Sequence, residues 1–295
     1  MLRVDRLSKS YDKRQVLFDV QMEVEPGTVH GLVGENGAGK TTLLKCITGI
    51  YQPEQGTVTL DGEHVYENPA VKERIGYVAD SNDFFPRYRL GKMVEFYRRV
   101  YPKFDEKKIM EMNALFRLDM NRRVAELSKG QKMRLAFMLN MAANTDLLVM
   151  DEPTSGLDAL AKGKLLSLLV EEVERRRLTV LISSHHLGEL EKICDSITML
   201  KAGRASGQGQ VDELKNQVRK VNLVFAQGAP QGFLERPDIL SYSRVGNIYT
   251  VIFRQLAEDG LEEMEREFRP TYAEELPVSL EELFIYTYGG GKDEN

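Results

Sequence analysis

Residues 29–49 read VHGLVGENGAGKTTLLKCITG. The apolar run Val29–Val33 suits a buried strand, and over 41–48 the side chains of Leu43, Leu44 and Ile47 fall on one helical face that stops at Gly49. Strand, glycine-rich loop and helix therefore follow one another. Gly34, Glu35, Asn36, Gly37, Ala38, Gly39, Lys40 and Thr41, with Thr42 behind them, satisfy the pattern GxxxxGK[ST] in that setting. The glycines let the backbone wrap so that successive N–H groups point at phosphate oxygens, and the helix adds its positive end. Lys40 is expected to bridge the β- and γ-phosphates and the Thr41 hydroxyl to ligate Mg²⁺. The loop serves several chemistries, so by itself it does not name the reaction.

Outward from this stretch, the first 28 residues carry alternating runs such as Val20, Gln21, Met22, Glu23, Val24, broken at Pro26 and Gly27, and predict antiparallel strands. Over residues 81–119 the period turns helical, with Met93, Phe96, Tyr97 and Val100 on one face and Arg98 and Arg99 on the other. Apolar runs at 146–150 and 179–183 enclose an amphipathic helix marked by Leu165, Leu168, Leu169 and Val173, and strands alternating with helices predict a parallel sheet. A polar, Gly-rich stretch at 203–210 reads as a break, followed by strands at 221–226 and 248–253. The expected fold is α/β: a parallel sheet with an antiparallel β subdomain and an inserted helical subdomain, plus a small C-terminal α+β domain. The expected boundaries are a first domain at 1–205 (helical subdomain about 81–130), a linker at 206–220 and an accessory domain at 221–295.

The 295 residues are 42% apolar and 29% charged, enough to bury a large core and unlike a disordered chain. Net charge is only −5, which excludes a generally basic nucleic-acid binder, yet residues 87–108 hold eight Lys or Arg against three acids and 256–295 hold three against twelve. Cys46 and Cys194 cannot form a disulfide framework and read as buried thiols in a reducing compartment. No apolar run approaches the ~20 residues that span a bilayer, and none at the N-terminus suits a signal peptide. The expectation is a chain that is cytoplasmic or peripheral to a membrane.

Residues 147–152 read LLVMDE, an apolar strand closed by two carboxylates that in a parallel sheet emerge beside the phosphate loop. Asp151 is expected to hold Mg²⁺ through its water shell, and Glu152 to orient an attacking water. LSKGQ at 127–131, LLVMDEPTSGLD at 147–158 and ISSHH at 182–186, in order behind the phosphate loop, resemble the nucleotide-binding domain of ATP-binding cassette (ABC) ATPases over residues 1 to about 205. The resemblance implies ATP as ligand, with Tyr11 stacked on adenine and Val16 beside it. It implies that Ser128, Gly130 and Gln131 meet the γ-phosphate of ATP held by an opposite subunit, a second copy or a homologue, in a head-to-tail dimer. Asp158 matches the loop that crosses that interface. His185 rather than His186 matches the switch histidine, and His30 and His64 read as structural or solvent-exposed.

Two positions depart from the family. A glutamine that binds Mg²⁺ is replaced by Asp80, which reads either as a contact through water or as a cap of the next turn. Lys129 replaces the usual signature glycine and adds a cation that faces the partner's nucleotide or solvent. The ending PVSLEELF at 277–284 is similar to ATPases that serve drug, polysaccharide, lipid and peptide exporters, although an amphipathic closing helix with Leu280, Leu283 and Phe284 inward explains it too. The basic run at 87–108 lies where the family docks on membrane subunits, or is a solvated helix face. The resemblance thus implies an ATP-hydrolysing transporter subunit, an exporter by its ending, held at the cytoplasmic face by integral-membrane permease subunits. The alternative is a clamp ATPase uncoupled from transport; no nucleic-acid partner is expected.

Overall fold

The computed structural model describes residues 1–12, 14–82, 84–254 and 260–288. They divide into two compact units, Met1–His186 with Ile193–Gln208, and Leu187–Lys192 with the described residues from Gly209 onward. The division falls at 208/209, and the stretch expected as a linker carries the end of a strand, a short helix and the start of the next strand.

The first unit begins β1 (Leu2–Tyr11), β2 (Arg14–Val24), β3 (Val29–Val33), α1 (Lys40–Ile47), β4 (Gln55–Leu60), β5 (Glu63–His64), α2 (Pro69–Lys72) and β6 (Ile75–Val78). It continues α3 (Leu90–Val100), α4 (Glu106–Phe116), α5 (Lys129–Ala142), β7 (Leu147–Asp151), α6 (Ala159–Arg176), β8 (Thr179–Ser184), β9 (Ser196–Lys201) and β10 (Arg204–Gln210). One sheet runs β2-β1-β4-β5, with β1 antiparallel to β2 and β4. The other runs β10-β9-β3-β8-β7-β6, and the pairs β3/β8, β3/β9, β7/β8 and β6/β7 are parallel.

Every residue of β3, β7 and β8 is buried, as in strands covered on both faces. Leu2, Leu17 and Met22 of the antiparallel sheet share one core with Leu43, Leu44 and Ile47 of α1 and Leu32, Val149 and Leu181 of the parallel sheet. Each such burial stabilises by roughly 1.5–3 kcal/mol. Because β3, β8 and β7 are parallel neighbours, Val33, Ser184 and Asp151 end on one edge, and the residues that follow them open into the same crevice.

Residues 203–210, read from sequence as a break, are largely strand. Ala202 and Gly203 both take positive φ (47° and 77°) in a two-residue turn, and β10 continues as an exposed sheet edge. A solvated edge needs no apolar alternation, which is why its Gly, Ser and Gln residues concealed it.

In the second unit α7 (Leu187–Leu190) and α8 (Val211–Lys215) precede β11 (Val218–Val224), β12 (Ile239–Val245), β13 (Ile248–Arg254), α9 (Gly260–Phe268), β14 (Tyr272–Leu276) and α10 (Leu280–Leu283). The strands form an antiparallel sheet of order β12-β13-β11-β14. Val221, Phe225, Phe233, Val251, Phe253 and Met264 make its core. Ser279 caps α10 through a reciprocal box with Glu282, and Leu280 and Leu283 are fully buried.

Candidate active site

The loop at 34–42 leaves β3 in a shape that its glycines permit. Gly37 and Gly39 sit at φ 84° and 105°, and a Cβ on Gly34 would lie 2.4 Å from the Leu200 carbonyl oxygen. Lys40, the first residue of α1, is buried; its Nζ donates to the carbonyl oxygens of Gly34 at 2.6 Å and Glu35 at 3.3 Å, and lies 3.6 Å from Glu152 Oε1. Tyr11, Val16, Glu35, Asn36, Gly37, Gly39, Lys40, Thr41, Thr42, Asp80, Asp151 and Glu152 line one cavity of about 370 Å³. The half-exposed Tyr11 ring stands at its rim, edge-on to Tyr51 at 5.9 Å, with its hydroxyl 3.4 Å from Thr42 Oγ1. Partial burial raises the Tyr11 phenol above its ordinary value.

Asp151 is 1% exposed. Its Oδ1 accepts a 2.6 Å hydrogen bond from Ser183 Oγ, whereas the buried Oδ2 has no hydrogen-bond partner. A carboxylate oxygen held dry and unpaired is costly unless something binds it, and with the Thr41 hydroxyl on the same cavity wall it fits a hard, oxygen-seeking cation. Glu152 takes φ 48°, a sparsely populated conformation for a side-chain-bearing residue, and its N–H donates to the Ser183 carbonyl at 3.1 Å. Its Oε2 lies 2.8 Å from His185 Nδ1. The His186 ring lies tilted against His185, with centroids 4.0 Å apart and 41° between planes. His30 is structural: fully buried between Ser196 Oγ at 2.7 Å and Thr198 Oγ1 at 2.8 Å, it is pushed down to about 4 by burial. Burial likewise pushes the Cys46 thiol up to about 11.

The remaining sequence-selected residues stand outside the cavity lining. Ser128 caps α5 by accepting from Gln131 N at 3.2 Å, and Gln131 Oε1 accepts from Ser128 N at 3.1 Å, so the Gln131 side chain is engaged within its own helix. Gly130 packs against the loop after β7, where a Cβ would meet the Gly156 carbonyl oxygen at 2.7 Å. Asp158 caps α6 by accepting from Ala161 N at 2.8 Å and pairs with Arg134 at 2.9 Å, which together hold its carboxyl below the usual range. Lys129 Nζ donates to Asp80 Oδ1 at 2.7 Å and to Ser155 Oγ at 3.2 Å. Asp80 is thus engaged by a lysine, and Lys129 points along its own subunit. Sequence reasoning passed over Ser183, Arg134 and the Asp80–Lys129 pairing. The signal for the last was that the two departures from the family pattern carry opposite charge.

A family model described as ABC transporter matches residues 17–155. The ABC transporter ATP-binding protein YtrB of Bacillus subtilis is 36% identical over 290 residues, covering 98% of this chain and 99% of YtrB. The Nod factor export ATP-binding protein I of Rhizobium etli is 31% identical (78% of this chain, 74% of that protein), and the Fe(3+) ions import ATP-binding protein FbpC 2 of Rhodococcus jostii is 32% identical (72% and 63%). Among solved structures, an ATP-binding subunit of an ABC transporter superposes with a TM-score of 0.69 at 28% identity, covering 74% of this chain and 92% of its own. The dimeric ATP-binding cassette MJ0796 bound to ADP and Pi shares the fold, with a TM-score of 0.66 at 23% identity over 72% of this chain and 99% of its own. With YtrB matched along nearly its whole length, the chain belongs to the ABC transporter ATP-binding proteins and is an ABC-type ATPase.

Proposed function

We propose that two copies of this chain, or one copy and a homologue, close head to tail around two ATP·Mg²⁺, and that hydrolysis reopens them to drive membrane subunits carried on other chains. The observation behind this reading is the separation of the motifs. Lys40, Asp151 and Glu152 share one cavity, whereas Ser128 and Gly130 at the start of α5, and Asp158 at the start of α6 where it pairs with Arg134 of α5, lie outside its lining. A second subunit supplies what each cavity lacks.

In this mechanism Tyr11 stacks on adenine, and the loop N–H groups with Lys40 hold the phosphates. Thr41 and Asp151 would hold Mg²⁺, with Asp80 beside them, and the bound cation would supply positive charge against the charge of the transferring phosphate. Glu152 Oε1 or Oε2 accepts a hydrogen bond from the attacking water, and His185, 2.8 Å from that carboxylate, orients it. Water adds to the γ-phosphorus as its bond to the bridging oxygen breaks, leaving ADP and phosphate. Ser128 and the N-terminal end of α5 stabilise the γ-phosphate of the opposite subunit.

No described helix is long and apolar enough to cross a membrane, so the membrane-spanning part is assigned to separate permease subunits, which place this chain at the cytoplasmic face. The exposed Phe85, just ahead of the basic run, with Tyr88 and Phe96 inside it, supplies an apolar surface for them. Export rests on the ending at 277–284; the named relatives act in both directions. Glu152→Gln is the direct test. It should bind ATP, lose turnover at least about 100-fold and sediment as a dimer with ATP but not with ADP. A monomer under ATP, or full turnover, contradicts the proposal.

A further inference from the structure

The two positions that depart from the family pattern touch each other. Lys129 and Asp80 are 49 residues apart, on the first turn of α5 and just beyond β6, and their charged ends meet at 2.7 Å. Asp80 also lines the cavity that holds Asp151 and Thr41, so its carboxylate stands between a lysine and a cation site. Lys129 lies between Ser128 and Gly130, the residues the proposed dimer turns toward the opposite nucleotide. Both side chains are about half exposed, at 52% and 47%, so water screens the pair and breaking it costs little.

We infer that Lys129 exchanges partners during the cycle: bound to Asp80 within one subunit, it transfers its ammonium to the γ-phosphate on the opposite subunit as Asp80 turns to the magnesium in its own cavity. Closing a dimer removes water from both groups. An ammonium or a carboxylate stranded there would be strongly destabilising. The exchange leaves neither unpaired in either state. The flexible four-carbon stem of lysine and its three donors suit such a move. The 3.2 Å bond from Lys129 Nζ to Ser155 Oγ ties the same ammonium to the loop that precedes Asp158, so the exchange also releases that loop. Lys129 becomes a phosphate-binding residue and Asp80 its release.

This rests on the head-to-tail dimer proposed above, and Glu152→Gln is the background for its test. Sedimentation velocity gives the ATP concentration at half-dimerisation with saturating Mg²⁺, and a fluorescent ATP analogue gives nucleotide affinity in the single subunit. Adding Lys129→Met should raise the half-dimerisation concentration at least about tenfold, the loss of one charge-assisted hydrogen bond, while single-subunit affinity stays within about twofold. Lys129→Arg should restore dimerisation. The exchanged pair Asp80→Lys with Lys129→Asp rebuilds the intrasubunit bond yet presents an anion to the phosphate, so it should remain monomeric. Dimerisation unaffected by Lys129→Met, or recovered by the exchanged pair, overturns the inference and reduces the contact to a structural ion pair. If Glu152→Gln alone stays monomeric, the proposed dimer falls and this inference with it.

Discussion

Ser183 joins the two carboxylates that close β7: its hydroxyl donates to Asp151 Oδ1 at 2.6 Å, and its carbonyl takes the Glu152 N–H at 3.1 Å. Removing the hydroxyl would leave Asp151, 1% exposed, with neither oxygen satisfied by this chain. Ser183→Ala should therefore lower turnover about 10–100-fold, the usual effect of losing a partner that orients a metal ligand, with Ser183→Thr retaining most of it. Steady-state ATPase assays decide this, and unchanged turnover in Ser183→Ala would remove the hydroxyl from the account. Sequence reading reached Asp151 and Glu152 because an apolar run ending in two acids is a pattern. It passed over Ser183 because a serine at the end of a strand has no pattern of its own. Asp80 and Lys129 were each noticed alone, and only folding shows that residues so far apart in sequence share a contact.

At the scale of elements, α4 and α6 are tied by charges rather than by periodicity. Lys108 Nζ meets Glu172 Oε2 at 2.6 Å, and Arg175 and Arg176 reach the same carboxylate at 2.7 and 2.8 Å. Burial alone would raise the Glu172 carboxyl, but hydrogen bonds from Lys108, Arg176 and Arg175 outweigh it and hold it below the usual carboxylate value. A depressed folded-state pKa gives stability that is present above the unfolded value, about 4.5, and is lost as pH falls through the folded one. Thermal melting from pH 7 to 3.5 should show that acid loss, and Glu172→Gln should flatten it. The same variant should lower the neutral-pH melting temperature by about 4–8 °C, because three cations lose their shared anion. A melting profile identical to wild type would show that the cluster contributes nothing. Elements with an apolar run or an apolar face were legible from sequence: β3, α1, β7 and α6. The edge strand β10 was not, because solvent rather than a core accepts its side chains.

For the whole molecule, the parallel order β3-β8-β7 gathers Lys40, Asp151 and Glu152 in one cavity with His185 against Glu152, and the signature residues lie outside that cavity. The parallel sheet and its phosphate loop were readable because buried strands leave long apolar runs. The extent of the second unit was less so, since Leu187–Lys192 joins it ahead of Ile193–Gln208, which returns to the first unit, and short-range patterns do not report such returns. The central claim is that one working site draws on two subunits. Mixing Lys40→Ala with Ser128→Arg tests it most directly. Each variant alone should be silent, and at equal ratio half the dimers are mixed, each with one intact site of two, so about a quarter of wild-type turnover should return. Activity of Ser128→Arg by itself, or no recovery on mixing, would contradict the composite site.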